Sequence, residues 1–266
     1  MQITSTESRL LILGLHRVGS PPPEATHRSL FTSPSLLRFK IRMLQTLGYR
    51  FVTLKDAMHE PFAKNAVLTF DDGYVDNLTA AKPVLDEFGI PASVFVVTGD
   101  VGRKDVVWDE AGEKLPADLM DWDMLGSLTE SGWEIGSHAH EHIHLDRCSK
   151  GRQQDAIERS VVEIEHNLGQ RPSSFCYPYG VFNDNTQASI RSAGMQFALT
   201  SRRAHRVRMA AMDPLELDRV IVGGSNPDWY LKCAFRSLRA LELRPYPQMP
   251  TWNDPLISLD ILQAEI

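Results

Sequence analysis

Ala66-Val-Leu-Thr-Phe70-Asp71-Asp72-Gly73-Tyr74, the segment Asp76 to Phe88 with Gly89 behind it, and the run Ser93-Val-Phe-Val-Val-Thr98 together decide the fold. Ala66–Phe70 reads as a buried strand, and Asp76 to Phe88 reads as a helix. Gly89 supplies the left-handed residue that satisfies the last carbonyls of such a helix. A second apolar run then follows directly. Strand, helix and strand in succession imply parallel pairing through a right-handed crossover.

The same unit recurs on both sides. Upstream, Leu10-Leu-Ile-Leu-Gly-Leu15 is strand-like. Ser33-Pro34 is a cap followed by proline at the first helical position, leading into Leu36, Leu37, Ile41 and Leu44. Gly48 ends that helix, and Phe51-Val-Thr-Leu54 is read as the start of the next strand. Downstream, a helix from Trp122 to Ser131 stops at Gly132, and Glu134–Ser137 is a short strand. A long helix from Ser149 to Leu168 stops at Gly169. Ser174–Tyr177 precedes a helix capped by Asn183 and stopped at Gly194, and Phe197–Thr200 and Arg219–Val222 are the last strands. About seven such units predict a closed or nearly closed barrel, with a doubly wound open sheet as the alternative. Either places ligands beyond the C-terminal ends of the strands. The chain is read as one barrel over residues 1–243 and a tail, 244–266, whose four prolines suit packing along the outside. Gly99 to Met120 is long for a connection in such a fold and is read as a surface excursion in preference to a substrate-covering loop.

Composition narrows the function. Hydrophobic residues make up 42% of the chain, enough for a sizeable core. A net charge of −6 without a stripe of Lys and Arg argues against a nucleic-acid partner. The single basic cluster, Arg202, Arg203, His205, Arg206 and Arg208, is read as a solvated loop. Cys148, Cys176 and Cys233 have no metal-ligand spacing and suit a reducing compartment. No apolar run approaches the ~20 residues of a membrane span, so a soluble, cytoplasmic protein is expected.

Three stretches carry chemistry. In Thr69–Tyr74 an apolar strand ends in two adjacent carboxylates. Neighbours on a strand point to opposite faces, so both reach one pocket only if the strand bends there, as Gly73 permits. In Gly136-Ser-His-Ala-His-Glu-His-Ile-His144, four of the nine histidines fall within seven residues. His138 and His142 share a face on a helical turn, and so do His140 and His144, so spacing alone does not choose between the pairs. One aspartate with two histidines makes a three-ligand, open metal site with room for water and a substrate oxygen, and the second aspartate is then left to accept the water's proton. Phe175-Cys-Tyr-Pro-Tyr-Gly180 forms a fixed turn in which a backbone N–H could face a developing oxyanion.

Taken together, in this order, these motifs resemble the polysaccharide deacetylase family, also called the NodB-homology or carbohydrate esterase 4 family. Its T-F-D-D-G matches Thr69 to Gly73. Its H-[S/T]-x-x-H matches His138 to His142, with Ala139 at the second position, and Tyr177-Pro-Tyr-Gly180 matches its R-P-P-Y-G in part. Leu15-His16 and Trp122 to Gly132 resemble segments of one branch of the family, and the likeness runs from about Leu10 to Val222. The resemblance implies a distorted (β/α)7 barrel. It implies Asp71 as general base, Asp72, His138 and His142 as ligands to one divalent metal, and Tyr179 as the backbone donor to the oxyanion. Zinc is the first choice of metal, with Co, Ni or Fe also suited to two imidazoles and a carboxylate. The family's late Leu-x-Ile-His motif, source of its general acid, has no counterpart here. His16, His144 and His205 are the histidines left to protonate a leaving amine, with His16 also placed to bind substrate. The arginine of R-P-P-Y-G is absent too, and Arg219 is the candidate to steady Asp71 instead. The expected activity is hydrolysis of an N-acetyl group from a carbohydrate, an intracellular or lipid-linked glycan intermediate for choice. The alternatives are a small-molecule amidohydrolase or deformylase, and a non-catalytic carbohydrate-binding module on a decayed enzyme fold.

Overall fold

The structure is a computed structural model that describes residues 9–25, 27–59, 64–108, 116–203, 207–208 and 213–223. In chain order the strands are β1 (Arg9–Leu15), β2 (Arg17–Val18), β3 (Phe31–Thr32), β4 (Arg50–Phe51), β5 (Lys64–Asp72), β6 (Ser93–Val96), β7 (Glu134–Ser137), β8 (Ser174–Cys176), β9 (Phe197–Arg203), β10 (Val207–Arg208) and β11 (Leu217–Ile221). The helices are α1 (Pro34–Thr46), α2 (Leu54–His59), α3 (Lys82–Phe88), α4 (Trp122–Glu130), α5 (Lys150–Leu168) and α6 (Asp184–Ser192).

Seven parallel strands close into a ring in the order β1, β5, β6, β7, β8, β9, β11. Closure is made by β1, which pairs with β5 from Arg9–Lys64 to Leu15–Phe70 and with β11 on its other side. That double pairing excludes the open sheet and gives the distorted (β/α)7 barrel. Distortion enters where β4 pairs with β5 at Asn65–Ala66, before β6 takes over at Thr69, and where register shifts between β9 and β11. Leu10, Ile12, Val67, Phe95, Leu199 and Leu217 form one buried cluster. They come from strands all around the ring, so they meet in its interior and fill it. On β7, Gly136 leaves room for the Phe95 ring, whose nearest atom would lie 2.5 Å from any Cβ there.

Helix starts follow their caps. Ser33, Asp121 and Ser149 each accept a backbone N–H three residues on, and Asn183 forms a reciprocal capping box with Thr186. Three local expectations are corrected. The strand read at Phe51–Leu54 is confined to Arg50–Phe51, because Thr53 Oγ1 accepts the Asp56 N–H and Leu54 opens α2. The helix read from Asp76 begins with a π turn, Asn77–Ala81, in which the Lys82 N–H reaches the Asn77 carbonyl. Pro83 has no N–H for the Thr79 carbonyl, and the widened turn accommodates its ring. The last strand starts earlier than Arg219, at Leu217. All described residues lie in the compact unit Met1–Asn226. The expected tail, 244–266, and His205 lie outside the described residues.

Candidate metal centre

The carboxylates of Asp71 and Asp72 separate at the mouth of β5. Val67, Thr69 and Asp71 share the inward face by the two-residue period of a strand. Arg219 stands two residues above Leu217 on β11, and its buried guanidinium grips Asp71 from across the barrel. Its Nη1 and Nη2 donate to Asp71 Oδ1 and Oδ2, both at 2.7 Å. Further donations go to the Thr200 carbonyl (3.1 Å), Thr69 Oγ1 (3.1 Å) and Cys176 Sγ (3.1 Å). Burial raises the Asp71 pKa, but the Arg219 charge and hydrogen bonds outweigh it and hold the carboxyl below the usual range.

Alternation would send Asp72 away from the interior. The chain instead turns at Asp72 itself, with φ of +75°, and continues left-handed at Gly73, with φ of +80°. The bend expected at Gly73 thus begins one residue earlier. It brings Asp72 Oδ1 to 3.4 Å from His138 Nε2 and 3.6 Å from His142 Nε2. Burial raises the Asp72 pKa, opposed by His16 and His138. Oδ1 is buried without a hydrogen-bond partner. A buried carboxylate oxygen without a donor is costly unless a cation completes it.

The histidines reach this point without a helix. Residues 138–144 are irregular, with Ala139 left-handed at φ +66°, so the helical-face reading of their spacing is corrected. Backbone bonds fix the segment instead: His138 N to the Val96 carbonyl, and His140 N to the Ala156 carbonyl on α5. Direction distinguishes the two pairs that spacing left open. His138 and His142 face Asp72. His140 turns to Thr98 and to Glu163 (3.0 Å), and His144 stacks on Tyr179 with ring centroids 4.0 Å apart. His138 Nδ1 lies 2.7 Å from the Cys176 carbonyl, so that nitrogen carries the proton and Nε2 presents its lone pair. Burial lowers the pKa of both His138 and His142 to about 4, which keeps them neutral, as ligands must be.

This donor set fits a divalent cation. The edge of a tetrahedron with bonds of about 2.1 Å is about 3.4 Å, close to both Asp72–histidine separations. A second grouping, Asp71, His138 and Cys176, also falls within ligand range. It fits less well, because Arg219 occupies both Asp71 oxygens and burial holds the Cys176 thiol in its protonated form.

The centre opens into a cleft of about 780 Å³, its open mouth included, that His16, Tyr74, Tyr179 and Ser201 also line. His16 Nε2 lies 3.8 Å from Asp71 Oδ2. Tyr179 occupies a left-handed position, φ +59°, at the end of β8. Among the lining residues that sequence reasoning missed, two make specific contacts. Trp108 belongs to the stretch read as a surface excursion, yet it stacks on His142 (centroids 4.8 Å, 29° between planes) and donates from Nε1 to Asp100. Arg17 lies between the rings of Phe31 and Tyr74 and pairs with Asp76 at 2.6 Å. A lone tryptophan in a polar segment was the available signal for the first. For the second, only the adjacency of Arg17 to His16 pointed that way.

A closed parallel barrel with a two-histidine, one-aspartate cluster beside an arginine-held carboxylate defines a hydrolase of the deacetylase class. Residues 59–198 match the polysaccharide deacetylase family, and the chain belongs to that family. YxkH of Bacillus subtilis (strain 168), provisionally named a polysaccharide deacetylase, is 26% identical over 229 residues, covering 84% of this chain and 75% of that protein. A poly-beta-1,6-N-acetyl-D-glucosamine N-deacetylase of Staphylococcus aureus (strain MRSA252) is 26% identical over 182 residues. That match covers 63% of this chain and 60% of the relative. Among solved structures, IcaB from Ammonifex degensii superposes with a TM-score of 0.71 at 24% identity, over 86% of this chain and 97% of that one. The Streptococcus pyogenes deacetylase PplD gives 0.72 at 22% identity, over 85% and 97%.

Proposed function

We propose that this chain is a metal-dependent carbohydrate N-deacetylase that hydrolyses the acetamide of an N-acetylated saccharide. The observation that carries the reading is the buried, donor-less Asp72 Oδ1 facing two neutral imidazole nitrogens. Asp72, His138 and His142 would hold the cation, zinc by preference. Bound there, the cation would acidify a water and polarise the acyl oxygen. Asp71, kept ionised by Arg219, is the group to take the proton from that water as it attacks the acyl carbon. Tyr179, in the left-handed turn after β8, offers its backbone N–H to the oxygen that gains charge. As the C–N bond breaks, the amine requires a proton. Among the described residues His16 is the histidine that lines the cleft outside the metal cluster, and it is assigned that donation and the contact with the sugar. Arg219 is a positioning residue, since it acts through Asp71.

The name of the staphylococcal relative supports a hexosamine polymer as substrate class. Among the described residues Cys148 and Cys176 are free thiols, in keeping with a reducing compartment and an intracellular or lipid-linked glycan. The test pairs two variants with zinc titration and acetate release from N-acetylated oligosaccharides. Asp72→Asn should lose both metal and activity, whereas Asp71→Asn should keep the metal and lose activity by at least 100-fold. Acetate release undiminished in Asp71→Asn would refute the assignment of the base. Release from small amides but not from sugars would favour the amidohydrolase.

A further inference from the structure

The two histidines of the cluster are held by different kinds of partner. His138 uses a main-chain carbonyl, that of Cys176, which strand β8 fixes. His142 uses a side chain: its Nδ1 lies 3.1 Å from the Tyr179 hydroxyl. That hydroxyl in turn lies 3.5 Å from the His142 carbonyl. The two contacts are satisfied together only one way. The phenol O–H donates to the carbonyl and its oxygen accepts from Nδ1–H, which leaves the His142 Nε2 lone pair facing Asp72. A side-chain partner must itself be held. The Tyr179 ring lies against His144 with 8° between planes and centroids 4.0 Å apart, while Trp108 covers His142. The rings therefore run Trp108, His142, Tyr179, His144, with the cation ligand between the first and the third.

We propose that the Tyr179 hydroxyl is the outer partner that fixes the orientation and tautomer of His142 for cation binding, and that the His144 ring is the platform holding that phenol. This rests on the metal reading above and gives the fourth histidine of the cluster a task other than ligation or acid catalysis. Tyr179 thus serves the site twice, through its backbone at the acyl oxygen and through its side chain behind a ligand. The Tyr179 phenol and the His144 ring are positioning groups, since each acts through another residue.

The experiment measures zinc affinity of the full chain by competition with a chromophoric chelator, so no turnover enters the readout. Tyr179→Phe keeps the ring and its stacking and removes only the hydroxyl. It should bind zinc about 10–100-fold more weakly, the usual effect of losing an outer partner of a ligand. Its urea midpoint under excess chelator should stay with that of the wild type. His144→Phe keeps an aromatic platform and should bind within about threefold of wild type, whereas His144→Ala should be weakened well beyond that. Zinc affinity in Tyr179→Phe within twofold of wild type would overturn the proposal while leaving the cluster intact. If the wild type binds zinc no better than Asp72→Asn, the metal reading fails and the proposal falls with it.

Discussion

Replacing Arg219 by methionine tests the link between the barrel interior and the chemistry at its mouth. The guanidinium is wholly buried and makes a two-pronged pair with Asp71, with further bonds to Thr69, Cys176 and the Thr200 carbonyl. Removing one member of a buried pair leaves the other charged and uncompensated, at a cost of about 3–5 kcal/mol. That is a large share of the roughly 5–15 kcal/mol by which a domain is stable. The cost should also depend on pH, with a predictable sign. In the wild type the folded pKa of Asp71 lies below its unfolded value, so the pair stabilises the fold above about pH 4, and this contribution fades as pH falls toward the folded value. In Arg219→Met burial, the largest influence, is opposed only by the smaller pull of His16 and His138 and raises the folded pKa above the unfolded one. The carboxyl then destabilises the fold as pH rises from about 4, by up to roughly 1.4 kcal/mol per unit until that raised value is passed. The stability gap between wild type and variant should therefore widen from pH 4 to pH 7. Urea unfolding under excess chelator at several pH values measures it, and the acid limb of acetate release should move to higher pH in the variant. Adding Asp71→Asn to Arg219→Met should recover part of the loss, since the two sites couple. A gap that is flat with pH, or below about 1 kcal/mol, would refute the picture of Asp71 as a carboxylate held ionised by Arg219.

Two further outcomes follow from the same geometry. Gly180→Ala would set a Cβ 2.5 Å from Ser201 Cβ and 2.6 Å from Ser201 N, at a φ of +69°, and should cost about 2–4 kcal/mol in urea unfolding; a loss under 0.5 kcal/mol would mean the turn after β8 yields freely. Zinc affinity should fall as pH drops, because Asp72, whose pKa burial raises, and then His138 and His142 towards pH 4 take up protons in competition with the metal; chelator competition showing an affinity unchanged from pH 7 to pH 4 would contradict this.

Much of the barrel was legible because its determinants are local. Ser33, Ser149 and Asn183 announce helix starts, Gly89 and Gly169 announce helix ends, and the apolar runs between them are the ring strands. The failures were also local in appearance, but their causes lay elsewhere in space. Leu54 reads as strand until Thr53 is seen to cap α2. The π turn at Asn77–Ala81 depends on Pro83 downstream. Which of four histidines face Asp72 depends on Val96 and Ala156, which anchor the segment from a strand and a helix distant in sequence. Trp108 was passed over because nothing in the segment around it says that it folds back onto His142. Arg219 came into view only through the family likeness, as a substitute for the missing arginine of R-P-P-Y-G, because no local pattern links β11 to the end of β5.

The adjacency of Asp71 and Asp72 explains why one strand end can supply two unlike carboxylates. Regular alternation delivers Asp71 to the interior, where a guanidinium from β11 waits and its pKa falls. A single left-handed residue delivers Asp72 to the mouth, where burial outweighs the pull of His16, His138 and a Tyr74 hydrogen bond and its pKa rises. Environments that drive neighbouring groups in opposite directions are how a site divides roles between identical side chains. Had Asp72 stayed in extended backbone it would have pointed away from His138 and His142, and no residue type at that position could have joined the cluster. The backbone turn, as much as the carboxylate, is therefore what the sequence Asp71-Asp72-Gly73 encodes, and the left-handed preference of Gly73 extends the turn that Asp72 begins.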